Sequence, residues 1–270
     1  MTNTKQREKR ELQLKTADEI ALMRQAGRIV AQVHQVLRGM VRPGITTGEL
    51  DAVAEEIIRD NGAIPTFLGY PKDKSPDYPG TINASINSEL VHGLPSKSRF
   101  LKEGDIISLD AGATYQGWVA DAAFTMGVGE ISKAVQRLLD VTEKALLIGI
   151  EASVLPHETR DVALTIMHYV QSQGYSVARE YTGHGVGRTM HEEPQVPNWW
   201  PKGRQAKGWI SHRLQAGMTY AIEPMVIAGR PDVVEQGDKW TVATRDKSLC
   251  AHFEHTIAIT DGAPIILTAP

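Results

Sequence analysis

The chain has 270 residues, 41% of them hydrophobic, with a net charge of −3 and a pI of about 6.3, which is enough apolar material for a large core in one or two domains. That balance gives no reason to expect DNA or an anionic membrane as a partner. The single Cys250 excludes an internal disulfide framework and cysteine-rich zinc sites, and it points to a reducing compartment, the cytoplasm.

Residues 1–15 form a charged, polar run (Lys5, Arg7, Glu8, Lys9, Arg10, Glu11, Lys15) with no apolar stretch behind it. Neither a signal peptide nor a membrane span is expected. The run reads as a solvated tail, with docking onto RNA or a ribosome as the alternative. Thr16-Ala-Asp-Glu19 is a capping-box signature. Behind it Ile20, Met23, Ile29, Val30, Val33 and Leu37 keep a helical apolar stripe until Pro43-Gly44. Thr46-Thr-Gly-Glu49 repeats the capping signal, and Leu50, Val53, Ile57 and Ile58 carry a second helix to Asn61-Gly62. A polar loop over 68–79 leads to strands at Thr81–Ile86, Asp105–Tyr115 and Trp118–Met126.

The order then recurs. Ser132 opens a helix through Val135, Leu138, Leu139 and Leu146, broken at Pro156. Thr159 opens another through Val162, Ile166 and Val170, which stops at Gly174. Gly62 and Gly174 stand 112 residues apart, and Pro43 and Pro156 stand 113 apart. Strands follow at Met218–Val226, Trp240–Thr244 and Cys250–Ile259. Each half, about 16–130 and 131–268, reads helix, helix, strands. A duplication is expected, with both halves sharing one sheet and one core in a single domain over 16–270. Helices that precede their strands favour an α+β fold.

Five residues carry the chemistry: Asp110, Asp121, His184, Glu223 and Glu254. Each sits in a β-like or Gly-rich segment, where a bare charge is costly unless neutralised. Four carboxylates and one imidazole suit two hard or borderline divalent cations, which can activate water for hydrolysis. Gln116-Gly117 reads as a two-residue hairpin turn. Tyr115 then faces Trp118 and Asp110 faces Ala123. Asp121 lies two residues from Ala123, so the two carboxylates are diagonal neighbours on one face, roughly 7–8 Å apart. Pro224 lacks a ladder donor and suggests a strand interrupted beside Glu223. His184, in Gly183-His-Gly-Val-Gly187, and His191 are seven residues apart. On one straight strand they would face opposite ways, so they are not expected to chelate together: one would bind metal and the other would touch substrate. His92, in Val91-His-Gly-Leu-Pro95, has a similar setting. The dinucleotide fingerprint, the Walker loop, the nucleophile-elbow serine and the zincin motif are all missing, and Cys250 has no cue for activation.

Taken together, the chain resembles the type I methionine aminopeptidases of the pita-bread fold from about Thr16 to Thr268. The matching blocks are Ser85-Ile-Asn-Ser-Glu-Leu-Val-His-Gly-Leu-Pro95, Ser108-Leu-Asp-Ala-Gly112, Ala120-Asp-Ala-Ala-Phe-Thr125, Tyr181 to Pro194, Ile222-Glu-Pro-Met-Val226 and Phe253-Glu-His-Thr-Ile257. The resemblance implies two pseudo-symmetric halves with helices packed on a curved antiparallel sheet. It implies that Asp110 chelates one ion, that His184 and Glu223 hold the other, and that Asp121 and Glu254 bridge them, the ions being Co, Mn, Fe or Zn. His191 is implied to contact the substrate carbonyl and His92 the scissile amide. Only 32 positions separate His191 from Glu223, too few for the helical insert of type II members. Tyr70, Tyr78, Met190 and Trp240 are candidates to wall a methionine pocket. The segments 197–209 and 72–79 depart from the family pattern and are expected to flank the cleft.

The resulting expectation is a monomeric enzyme that acts on nascent polypeptide N-termini. A metal-activated water would hydrolyse the peptide bond, with Glu223 carrying the proton. The nearest rival, an X-Pro peptidase, usually carries a sizeable domain ahead of the first helices. A metal-free binding relative is disfavoured by the presence of all five ligand positions.

Overall fold

A computed structural model describes residues 12–73 and 75–270. The tail expected over 1–15 therefore lies, through residue 11, outside the described residues. Two of its last four residues differ from expectation: Leu12 packs on the core and Lys15 is buried, while Gln13 and Leu14 are exposed. The solvated run does not extend to Lys15.

The elements are α1 (Ala17–Met40), α2 (Thr47–Asp60), β1 (Ile64–Pro65), β2 (Ile82–Ile86), β3 (Glu89–Val91), β4 (Ile106–Tyr115), β5 (Trp118–Gly127), α3 (Lys133–Ala152) and α4 (Thr159–Ser172). They continue with β6 (Ser176–Val177), β7 (Gly183–Gly185), β8 (Glu192–Val196), a 3₁₀ turn (Gly203–Ala206), β9 (Thr219–Ile222), β10 (Met225–Ile227), β11 (Val233–Glu235), β12 (Val242–Thr244), β13 (Cys250–His252), β14 (Glu254–Ala258) and β15 (Ile265–Ile266). Both capping boxes form. The Thr16 hydroxyl accepts from Glu19 N at 3.3 Å while Thr16 N donates to the Glu19 carboxylate at 2.9 Å. Thr46 and Glu49 do the same at 3.1 and 2.8 Å. Ser132 caps α3, and α3 ends before Pro156.

The main sheet is antiparallel and runs β1-β4-β5-β14-β9-β7-β8, with β2 added on β4 and β15 on β14. Strands of both halves meet at β5 and β14, where Glu254 lies opposite Ala123. The expectation of one sheet needs correction. Two further three-stranded sheets, β13-β10-β6 and β11-β12-β3, stand beside the main one. The strands expected over 218–226 and 250–259 each split between sheets. Pro224 has no N–H to offer a ladder, so β9 ends at Ile222 and β10 starts anew at Met225. Phe253 sits at the matching break and donates to Pro224 O.

The four helices cover the sheet's outer face. Val30, Leu37, Leu50, Ile58, Leu109, Phe124, Leu146, Ile166, Ile222 and Ile257 belong to one apolar cluster that crosses both halves. Gly149 marks where α3 comes closest: a Cβ there would lie 2.6 Å from Ile222 and 2.7 Å from Ile166 side-chain carbons. The β4–β5 hairpin has the expected register, with Tyr115 opposite Trp118 and Asp110 opposite Ala123. Strand alternation then sends Ile107, Leu109, Ala122 and Phe124 toward the helices. Asp110 and Asp121 share the other face.

Candidate metal centre and active-site cleft

On that other face, all the residues singled out above come together. Asp110 of β4, Asp121 of β5, His184 of β7, Glu223 just past β9 and Glu254 at the head of β14 line one cleft. His92, Tyr70, Tyr78, Met190, His191 and Trp240 line it with them. Asp121, His184 and Glu254 each present a ligand atom within 4.8 Å of the others. His184 Nε2 stands 3.8 Å from Asp121 Oδ2 and 3.6 Å from Glu223 Oε1. Its Nδ1 lies 3.0 Å from Gly185 O. Donation to that carbonyl leaves the Nε2 lone pair facing the carboxylates, the usual arrangement of a ligating imidazole.

The electrostatics of this cluster are unfavourable without a cation. All four carboxyls are buried, and burial is the first cause that raises each pKa. Asp110 is pushed well above the usual range by burial and then by Asp121, against the pull of Asn83. Asp121 rises to about 6 through burial, restrained by the Thr256 hydroxyl. Glu223 and Glu254 rise well above the usual range by burial and then by the neighbouring carboxylates. The imidazoles offer no compensation. Burial lowers His184 to about 4, and burial followed by the field of His184 takes His191 to about 4. Burial, then Lys72 and His191, lowers His92 to about 4. His252 falls to about 3. At neutral pH four crowded acids therefore face neutral rings. Asp110 Oδ1 and His252 Nε2 are buried with no hydrogen-bond partner. Orphaned donor atoms in an oxygen-rich cluster fit divalent cations.

Three supports of the cluster are not singled out by the sequence. Asn83 lies opposite Asp110 across β2 and β4, and its Nδ2 donates to Asp110 Oδ2 at 2.6 Å. His252 places Nε2 3.7 Å from Glu223 Oε2 and 3.8 Å from Glu254 Oε2. The signal for His252 was available, since two residues before Glu254 in a β-like run means the same face. Thr256, at the next same-face position, donates to Asp121 Oδ1 at 3.0 Å.

His184 and His191 do not share one straight strand, so the condition under which they would face opposite ways is not met. The strand ends at Gly185, and the chain turns before β8 returns antiparallel, with Gly185 opposite Glu192. Parity along a straight strand does not apply across a turn. The two rings instead meet with centroids 4.2 Å apart. Tyr70 Oη is 2.7 Å from His191 Nδ1. Tyr78 packs on Trp240 at 5.0 Å and donates its hydroxyl inward to Ile82 O and Gly93 O. Trp240 donates to Pro76 O at 2.9 Å, which ties the 72–79 loop to the cleft. The 197–209 segment behaves otherwise. Trp199 and Trp200 pack on Trp209, with Arg179 over Trp199 and Arg160 over Trp200. None of these residues lines the cleft. Asn198 alone reaches inward, donating to Glu223 O at 2.9 Å.

A curved antiparallel sheet that gathers buried carboxylates and imidazoles at the floor of an open cleft defines a metal-dependent hydrolase. A family model described as metallopeptidase family M24 matches residues 21–261. The chain belongs to that family. It is 46% identical over 255 residues to the methionine aminopeptidase of Clostridium acetobutylicum, a match covering 94% of this chain and 98% of that protein. It is 47% identical to methionine aminopeptidase 1 of Bacillus subtilis, with the same coverage. The crystal structure of methionine aminopeptidase from Thermotoga maritima superposes with a TM-score of 0.90 at 41% identity, covering 96% of this chain and 100% of that one. Prolidase from Pyrococcus furiosus shares the fold at a TM-score of 0.75 and 21% identity, over 95% of this chain and 65% of that one.

Proposed function

We propose that this chain is a methionyl aminopeptidase that removes the initiator methionine from nascent polypeptides when the second residue is small. The observation that carries the reading is the meeting of five metal-ligand candidates and two free imidazoles in one cleft walled by aromatic and thioether side chains. Residues 16–270 act as one catalytic unit, monomeric and cytoplasmic. Two divalent ions, from among Co, Mn, Fe and Zn, belong in the cluster. Asp110 would hold one ion, His184 and Glu223 the other, with Asp121 and Glu254 as ligands to both. Bound there, the ions supply a nucleophilic water at neutral pH and neutralise charge that develops on the carbonyl oxygen.

The chain's own residues do the rest. In its ionised form Glu223, whose pKa burial and the neighbouring carboxylates raise, would accept a proton from water and pass it to the leaving amine. His191 is neutral at pH 7 and has one N–H to give. In the tautomer that accepts from the Tyr70 hydroxyl, 2.7 Å from Nδ1, that proton sits on Nε2 and would be given to the substrate carbonyl. His92, edge-on to Tyr181 and Trp240 at 5.8 and 6.3 Å, holds the scissile amide. Tyr70, Tyr78, Met190 and Trp240 form an apolar slot that an unbranched thioether fills.

The test uses the full chain, stripped of metal and reconstituted with each of the four cations. A Met-Gly peptide should release methionine only in loaded samples. Cleavage of an X-Pro peptide at a matching rate, or full turnover in rigorously metal-free protein, would overturn the proposal.

A further inference from the structure

His191 has no strand of its own to hold it. It stands in the turn between β7 and β8, one residue before Glu192. The Glu192 carboxylate is largely buried and organises that turn. Its Oε1 accepts from Arg188 N at 2.7 Å and from Thr189 N at 3.1 Å. The Thr189 hydroxyl in turn donates to His191 O at 3.3 Å. The other oxygen, Oε2, receives the ammonium of Lys15 at 2.6 Å, in a pair whose side chains are only 3% and 11% exposed. Lys15 comes from the opposite end of the chain, immediately before α1. It is fixed at both ends, with its backbone N donating to Gly217 O at 2.7 Å and its Nζ donating also to Gln13 O at 3.1 Å. The packing leaves no slack: a Cβ at Gly187 would lie 2.5 Å from Lys15 Cε and 2.7 Å from a Glu192 oxygen.

We infer that the buried Lys15–Glu192 pair is a positioning device for His191, by which the strand of chain ahead of the first helix holds the catalytic turn in its productive conformation. The inference rests on the reading of His191 as the carbonyl donor. A buried charge pair is a poor source of net stability, because desolvation offsets most of the attraction. It does fix geometry strictly, since either partner left alone is an uncompensated charge. Glu192 spends its two oxygens on different tasks, one on the turn's N–H groups and one on Lys15. Loss of the ammonium frees the carboxylate to turn toward water, and the turn loses its anchor. Four of the five ligand candidates sit on or beside β4, β5, β9 and β14, away from this contact, and the fifth, His184 on β7, is held by its pairing with Ala221 of β9.

The decisive experiment is a double-mutant cycle. Lys15→Met and Glu192→Gln are made in the full chain, alone and combined with His191→Ala. Four quantities are read: kcat and KM on a Met-Gly peptide, metal affinity by calorimetry, Tm, and the ring NMR signals of His191, which are identified by their loss in His191→Ala. Lys15→Met should lower kcat about tenfold, in line with the sensitivity of catalysis to small misplacements. Metal affinity should stay within about twofold of wild type, because neither Lys15 nor Glu192 hydrogen-bonds a ligand side chain. In the His191→Ala background the same substitution should change kcat hardly at all. Lys15→Arg, which keeps the charge but must fit a larger guanidinium into the same tight space, should lose less than Lys15→Met. Equal losses in both backgrounds, or a parallel fall in metal affinity, would mean the pair is only structural. The NMR arm does not depend on substrate. Lys15→Met should broaden or shift the His191 ring signals and leave those of His92 in place. Unchanged His191 signals refute the inference whether or not the protein cleaves methionyl peptides. Failure of the wild-type protein on those peptides, with shifted His191 signals in Lys15→Met, refutes the proposed function alone.

Discussion

Asp121→Asn should stabilise the metal-free protein and destabilise the metal-loaded one. Asp121 is 1% exposed, and its pKa is raised from 3.8 to about 6, chiefly by burial. A carboxyl whose folded pKa lies above its unfolded one costs nothing at low pH, where both states hold the proton. The cost appears as pH rises through the unfolded value near 4 and is complete above the folded value near 6. A difference of about two pKa units corresponds to about 3 kcal/mol. Asparagine keeps an oxygen to accept from Thr256 Oγ1, now 3.0 Å from Asp121 Oδ1, so little else is lost. For a chain of this size, about 3 kcal/mol is a Tm rise of roughly 5–8 °C at pH 7.5, shrinking to nothing near pH 4. With Mn at about a thousand times its Kd, binding stabilises the wild type by about 4 kcal/mol, more than the advantage the variant holds without metal, and the variant, short of one ligand, gains far less from the same ion. The order of the two melting curves then inverts. Calorimetric scans at pH 4 and pH 7.5, with and without metal, make the comparison. A variant no more stable than wild type in the metal-free scan at pH 7.5, or a gain that persists at pH 4, would refute the electrostatic reasoning.

His191→Ala should lose about 10²–10³ in kcat, the cost of one oxyanion donor, while keeping its full metal content. His184→Ala should weaken a metal site directly. Metal titration beside kinetics on both variants would expose a swap of roles. Asn83→Ala removes the donor on Asp110 Oδ2 and should weaken binding of one ion by about 10–100-fold; an unchanged isotherm would count against that support. His34, buried against Phe124 and held near 3 by burial and Arg38, is neutral in the fold. Its folded pKa lies below its unfolded value, so stability falls as pH drops from about 6.5 toward 3. His34→Leu should flatten that slope in equilibrium unfolding, and parallel curves would show that another group is responsible. Peptides with Leu or Arg second should be cut far more slowly than those with Gly or Ala, as competition kinetics would reveal.

Local rules carried far in this chain. The capping boxes at Thr16 and Thr46 and the break at Pro156 are decided within a few residues of chain, and the structure places those helices where the sequence puts them. The Gln116-Gly117 turn fixed a register that needed no tertiary information, and with it the shared face of Asp110 and Asp121. Side-chain type and strand period were likewise enough to single out Glu223 and Glu254. What the sequence left open involves contacts between distant segments. The meeting of His184 and His191 depends on a turn whose path is set by Glu192, and Glu192 is held by a lysine 177 positions earlier. Asn83 reaches Asp110 only because β2 pairs with β4. His252 reaches Glu223 only because β13 lies beside β10. The break at Pro224 is legible in the chain, but which sheet each piece of the run joins is set by the distant strands it pairs with. Periodicity and turn chemistry are local energies, so they can be read from the chain. The pairing of buried charges and of strand edges is a property of the assembled core, and only the tertiary structure decides it.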